Sequence, residues 1–235
     1  MKIGITERGD PAFDRSWVQW VRDGKPAIII SKHPLVIYDV LRKIDAVNVI
    51  VHCTITGMGG TVLEPNVPQI KEAIEGYHKL IKNYGSSRVV LRIDPIVPTK
   101  KGEAIALDVL KMGNILREMR KQDYMRVRIS FLDLYPHVKE RLLQAGLGLP
   151  DYDFHAPLEV RNRIWEKMGK PEVCGEPDLP STGCISKIDL ELLGIKEETR
   201  EGKQRPTCAC AGNKFELLKS KKHCPSGCLY CYWVG

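Results

Sequence analysis

Three cysteines close together, Cys224, Cys228 and Cys231, stand in the segment Cys224-Pro-Ser-Gly-Cys228-Leu-Tyr-Cys231-Tyr-Trp, a C-x3-C-x2-C spacing. Thiolates at these offsets can ligate three corners of a four-iron cluster and leave the fourth iron open. The open iron decides the chemistry. A cluster closed by four cysteines transfers electrons or holds structure, whereas an open iron can bind a substrate or cofactor. Zinc is the alternative, because these three thiolates with His223 or another cysteine would make an acceptable zinc set. Four further cysteines, Cys174, Cys184, Cys208 and Cys210, make a second complete set, enough to close a zinc site or an auxiliary [4Fe–4S] cluster. The tight Cys208-x-Cys210 pair favours iron–sulfur over a C-x2-C zinc knuckle, and the plain alternative is that one or two of the four are buried thiols. Cys53, in an apolar run with Val49, Ile50 and Val51, reads as a core residue.

The chain has 235 residues, 43% hydrophobic and 28% charged, which suits one large core and a soluble globular protein. No apolar stretch reaches membrane-spanning length. The first residues enter a strand pattern with no signal peptide, so a cytoplasmic location and no membrane partner are expected. In a reducing compartment, eight cysteines at such short spacings point to metal and not to disulfides. The formal charge of +7 suits an anionic partner such as nucleic acid, although metal-bound thiolates would return negative charge.

The elements that must position these groups follow a repeated βα rhythm. Apolar runs predict strands over residues 3–6, 27–31, 47–56, 88–93, 126–132 and 172–175. Helical periodicity predicts helices over 14–23, 35–44, 67–83, 104–122, 136–145, 158–168 and 185–193. A continuous run such as Ile28-Ile29-Ile30 is what a parallel sheet covered on both faces requires. The expectation is an α/β fold, an open, partial (β/α)6 barrel over residues 1–195. A cysteine-rich tail over 196–235, with a charged run at 196–205, belongs to the same structural unit.

In a barrel of this kind functional groups collect at the carboxyl ends of the strands. Polar residues do follow the predicted strands, although Ser, Thr and Asp in such places also cap the next helix. Arg8, Lys32, Arg92, Asp94 and Asp133 are the candidates for substrate contact, with Thr54, Glu64 and Ser130 as candidate cofactor contacts. Glu64 has helix capping as its other reading, and Arg92 and Asp94 are close enough to pair with each other. Gly57-Met-Gly-Gly60 lacks the pattern of a nucleotide-binding loop and reads as a flexible connection. The six histidines show no metal-ligand spacing, and Tyr135 and Tyr232 read as packing aromatics near the site.

Several blocks occur in order along the chain. They are Ile5-Thr-Glu-Arg-Gly-Asp-Pro-Ala-Phe-Asp-Arg-Ser-Trp17, Leu63-Glu-Pro-Asn-Val-Pro68, Leu91-Arg-Ile-Asp-Pro-Ile96 and Ile129-Ser-Phe-Leu-Asp-Leu-Tyr135, then Cys208-Ala-Cys210 and the Cys224–Trp233 block. Together they resemble an uncharacterised bacterial family with a C-terminal cysteine cluster like that of radical S-adenosylmethionine (SAM) enzymes. A looser similarity, through Ser31-Lys-His-Pro34, Thr54-Ile-Thr56 and Leu63-Glu-Pro65, reaches the spore photoproduct lyase branch of radical SAM proteins.

The resemblance implies a [4Fe–4S] cluster and SAM at the barrel mouth, with Tyr230 near the SAM adenine and an electron donor of the flavodoxin or ferredoxin type. Reductive cleavage of SAM would yield methionine and a 5′-deoxyadenosyl radical that abstracts hydrogen from the substrate. The signature usually follows the first strand. Here the loop at residues 7–13 has no cysteine, so the tail must fold back over the mouth, and that loop is left to offer Arg8 and Asp10 to a ligand. The substrate is unidentified, with charge and the lyase-like segment pointing toward nucleic acid or a nucleotide. The rival readings are a non-catalytic nucleic-acid-binding protein stabilised by zinc or iron–sulfur, and a plain electron-transfer protein.

Overall fold

Strands with apolar side chains on both faces need cover on both sides, and here each face has it. A computed structural model describes residues 1–120, 125–195, 207–219 and 224–233. Strands β1 (Ile3–Ile5), β2 (Ala27–Ser31), β3 (Val49–Thr54), β4 (Val89–Ile96), β5 (Arg126–Phe131), β6 (Glu172–Val173) and β7 (Lys214–Glu216) form one sheet. Every pairing is parallel, and the order is β6-β5-β4-β3-β2-β1-β7, an open half-barrel with β6 and β7 at its edges. Among the described residues, no helix is long and apolar enough to cross a membrane.

The helices are α1 (Val18–Arg22), α2 (Pro34–Lys43), α3 (Ile70–Tyr84), α4 (Lys100–Arg120), α5 (Pro136–Gln144), α6 (Leu158–Lys167) and α7 (Lys187–Leu192). Ile29, Val51, Leu91 and Ile129 point outward into the main core with Ile37 and Leu41 of α2 and Tyr77 and Leu80 of α3. Alternation then turns Ile28, Ile50 and Val90 to the concave face. There they meet Cys174, Cys184, Cys208 and Cys210 together with Ile185 and Leu193. A third cluster, with Leu132, Leu134 and Val138, packs on Cys228 and Tyr230.

Helix α3 lies so close to α2 that a Cβ at Gly76 would come within 2.3 Å of the Leu35 nitrogen. At the other end of the concave face, α7 begins with a capping box between Ser186 and Asp189. The same Asp189 carboxylate accepts from Arg126 Nη1 at 2.8 Å and Arg128 Nη2 at 3.3 Å, and both arginines also pair with Glu172. Burial alone would raise Asp189, but Arg128 foremost outweighs it and holds the carboxyl well below its ordinary range. Four buried charges thus fasten α7 and β6 to the sheet.

The observed elements depart from the sequence expectation in three places. First, the helix expected over 14–23 shrinks to α1, because Asp10 and Asp14 accept from the Ala12 and Ser16 N–H groups at 2.9 Å and turn the chain before it. Second, the strand expected to stop at 93 continues to Ile96, past Pro95, with a register shift between Ile93 and Ile96. Third, the tail contributes a strand of its own. Ile3, Gly4 and Ile5 of β1 pair with Lys214, Phe215 and Glu216 of β7. The charged run at 196–205 lies outside the described residues.

Candidate functional site

The carboxyl ends of the strands surround a cavity of about 180 Å³. Arg8 in the loop after β1, Lys32 at the exit of β2, Thr54 at the end of β3 and Arg92 and Asp94 on β4 all line it, as do Ser130 on β5 and Asp133 beyond it. Cys224, Cys228, Tyr230 and Cys231 form part of the same wall. The segment from Cys224 onward is pinned on three sides. Asn66 Nδ2 donates to the Pro225 carbonyl at 2.9 Å and the Leu229 N–H to the Leu63 carbonyl at 3.1 Å. Ser226 Oγ meets His33 Nε2 at 3.2 Å, and Arg141 of α5 donates to the Cys231 carbonyl.

Lys32 is the hub of the inner wall. Its Nζ donates to Glu64 Oε1 at 2.7 Å and to the Tyr230 hydroxyl oxygen at 2.8 Å. Tyr230 in turn donates to Glu64, and Thr56 Oγ1 donates to Glu64 Oε2 at 2.6 Å. Glu64 is 0% exposed, and it does not cap α3, whose N-cap residue is Gln69. Burial alone would lower Lys32 and raise Glu64. Each instead stabilises the other's charge, so Lys32 is raised and Glu64 lowered, and the pair stays ionised at neutral pH. Burial pushes the Tyr230 phenol well above its ordinary value, which keeps it a neutral donor.

Arg92 and Asp94 pair with each other: Arg92 Nε lies 2.6 Å from Asp94 Oδ2, and Ser130 Oγ donates to the other carboxylate oxygen. Arg92 Nη1 reaches inward to Cys184 Sγ at 3.2 Å. Asp133 Oδ1 faces His155 Nδ1 at 2.7 Å. Arg8 holds its guanidinium 4.8 Å from the Trp233 ring centroid, and its N–H donates to Glu216 of β7. Asp10 lines the cavity as well, and its carboxylate is engaged within the loop. It accepts from Ser31 Oγ at 2.7 Å and from the Lys32 N–H at 2.8 Å, and so fixes the loop on the β2 exit.

Sequence reasoning passed over Glu176, which also lines the cavity. Its Oε1 accepts from the Phe131 N–H at 2.7 Å, and burial pushes its carboxyl up to about 7. Glu176 is the first residue after the strand expected over 172–175, so the strand-exit rule could have found it. Ser226 and Trp233 were missed as well, although their adjacency to the cysteine motif was a usable signal.

The cysteines divide by place. Cys224, Cys228 and Cys231 line the cavity, whereas Cys174, Cys184, Cys208 and Cys210 pack inside the half-barrel and Cys53 faces the outer core. The cavity wall therefore holds three thiols and no fourth cysteine among the described residues. Burial pushes the Cys228 thiol up to about 12, so a metal would have to displace its proton. No three His, Cys, Asp or Glu side chains among the described residues are already disposed around a single ion. His223, the fourth ligand of the zinc alternative, lies outside the described residues.

A family model described as a domain of unknown function (DUF1848) matches residues 17–233. Comparison with curated proteins gives no match.

Proposed function

This chain belongs to the DUF1848 family, and we propose that it is a radical SAM enzyme in which Cys224, Cys228 and Cys231 hold a [4Fe–4S] cluster at the cavity. The observation that carries the reading is the placement of three thiols at C-x3-C-x2-C spacing in a cavity wall that contains no other described cysteine. That donor set suits a cluster with one iron left for a cofactor. Held by Cys224, Cys228 and Cys231, such a cluster would supply the one electron needed to cleave SAM to methionine and a hydrogen-abstracting 5′-deoxyadenosyl radical.

The residues of the chain orient and enclose. The Lys32–Glu64–Tyr230 contacts tie the cysteine segment to the ends of β2 and to the loop after β3. Tyr230 is then held beside Cys231, with the Lys32 ammonium donating to its hydroxyl end. In this reading the tail returns over the mouth of a radical-SAM-type barrel. Tyr135, Tyr232 and Trp233 form its rim and exclude water, with Tyr135 and Tyr232 stacked 5.8 Å apart. Thr54 and Ser130 line the wall where a cofactor would sit.

In this reading substrate contact falls to polar groups that line the cavity. Lys32 and Arg92 are each paired with a carboxylate, so they offer little net charge to a phosphate backbone. Arg8, Asp133 beside His155 and Glu176 beside Arg161 line the same cavity and would hold a small polar substrate or one extruded nucleotide. A one-electron donor of the flavodoxin or ferredoxin type is the partner this chemistry requires. The rival reading, a metal-stabilised nucleic-acid-binding protein without catalysis, shares the cysteines but requires no cofactor in the cavity.

The test is electron paramagnetic resonance of the anaerobically reconstituted, dithionite-reduced protein before and after SAM is added. The expected result is a cluster signal whose shape changes when SAM is added, and no such SAM-responsive signal in a Cys228→Ala control. A signal indifferent to SAM, or zinc as the sole bound metal, would overturn the proposal.

A further inference from the structure

The four inner thiols are far from idle packing residues in their arrangement. Cys174 follows β6, Cys184 precedes α7, and Cys208 and Cys210 precede β7, yet all four are buried on the concave face of the sheet. Cys174 Sγ lies 3.2 Å from Cys184 Sγ, and the Cys184 N–H donates to Cys210 Sγ at 3.0 Å. The backbones that carry them are clasped together. Gly183 has φ of +73° and packs so closely that a Cβ there would lie 2.6 Å from the Cys210 nitrogen. Thr207 Oγ1 donates to the Gly175 carbonyl at 2.9 Å, and the Ala211 N–H to the Ile185 carbonyl at 3.2 Å.

Two further observations point to a ligand. Buried His52 has an Nδ1 with no partner among the described residues, while Arg128 Nη1 connects its Nε2, at 3.4 Å, to the Cys184 carbonyl at 3.1 Å. Cationic Arg92 donates directly to Cys184 Sγ. A buried donor without a partner and a guanidinium aimed at sulfur are suited to an interior that holds thiolates bound to metal.

We propose that Cys174, Cys184, Cys208 and Cys210 form a second metal site that takes one thiophilic divalent ion of the zinc class. Sulfurs around tetrahedral zinc stand about 3.8 Å apart, given Zn–S bonds of about 2.3 Å. The 3.2 Å Cys174–Cys184 contact is nearer to that spacing than to the wide separation of thiolates on an iron–sulfur cube. The structure thus favours zinc where the Cys208-x-Cys210 spacing pointed to iron–sulfur. The four side chains do not yet surround a common point. Binding therefore requires rotation of the thiols about their Cα–Cβ bonds, with the clasped backbones left in place. The ion would staple the 207–211 segment to the sheet and, through Arg92, fix one wall of the cavity.

The site is independent of the SAM reading, and its test separates the two. The Cys224→Ala/Cys228→Ala/Cys231→Ala variant, purified anaerobically, is assayed for zinc, iron and inorganic sulfide. The proposal expects about one zinc per chain, no sulfide, and loss of the zinc when Cys184→Ser is added. Co²⁺ in its place should give the charge-transfer bands of tetrahedral thiolate coordination. A folded triple variant without bound metal, zinc that survives Cys184→Ser, or iron with matching sulfide would each overturn it. If the triple variant does not fold, Cys210→Ser in the otherwise unchanged chain serves instead: loss of zinc with iron retained supports the site, and unchanged zinc overturns it.

Discussion

At the scale of single residues, the strand-exit rule finds the right neighbourhood but not the partners. Lys32, Arg92, Asp94, Ser130 and Asp133 all line the cavity because parallel strands deliver their last side chains there. No local pattern could have joined Lys32 to Tyr230, which lies 198 residues away in sequence. Nor could it show that Asp10 is used to fix its own loop. The buried Lys32–Glu64 pair makes a direct prediction. Glu64→Leu leaves an uncompensated ammonium and should cost about 3–5 kcal/mol in denaturant unfolding. The double variant Lys32→Met/Glu64→Leu should recover much of that loss, because both charges are gone together. A double variant as unstable as the single one would show that the pair is not coupled as described.

At the scale of elements, β2 to β5 were legible because their apolar runs face two cores at once. β7 was not. Its three residues, Lys214-Phe-Glu216, carry no apolar run, and only pairing with β1 makes them a strand. α1 was overestimated because Asp10 and Asp14 favour turns through their side chains. Two stability predictions belong here. Gly76→Ala drives a methyl group into the Leu35 backbone and should cost about 1–3 kcal/mol by overpacking, read as a lower thermal midpoint. Asp189→Ala should cost about 3–5 kcal/mol, because it deprives Arg126 and Arg128 of a buried partner.

The same carboxylate makes stability depend on pH. Asp189 is depressed in the fold, so its contribution is present above the unfolded carboxylate value of about 3.9 and is lost as pH falls below it toward the folded value. Thermal unfolding of the wild type should therefore fall off below about pH 4. Asp189→Asn should lower stability at neutral pH and flatten that acid limb. An acid limb of equal slope in both proteins would place the proton uptake elsewhere.

At the scale of the whole molecule, the cysteine pattern separates into two groups, three thiols at the cavity and four inside the half-barrel. The sequence spacings grouped them in the same way, but only the fold shows that Arg92 touches both Asp94 in the cavity and Cys184 behind it. The net charge of +7 is a poor guide to the cavity, where the principal cations are paired. The central claim concerns the three thiols, and one measurement addresses it most directly: 5′-deoxyadenosine released from SAM by the anaerobically reconstituted, dithionite-reduced chain. The wild type should accumulate the nucleoside, and Cys228→Ala should form none above the protein-free background. A wild-type chain that binds iron and sulfide yet releases no 5′-deoxyadenosine, or a Cys228→Ala chain that releases it equally, would contradict the account.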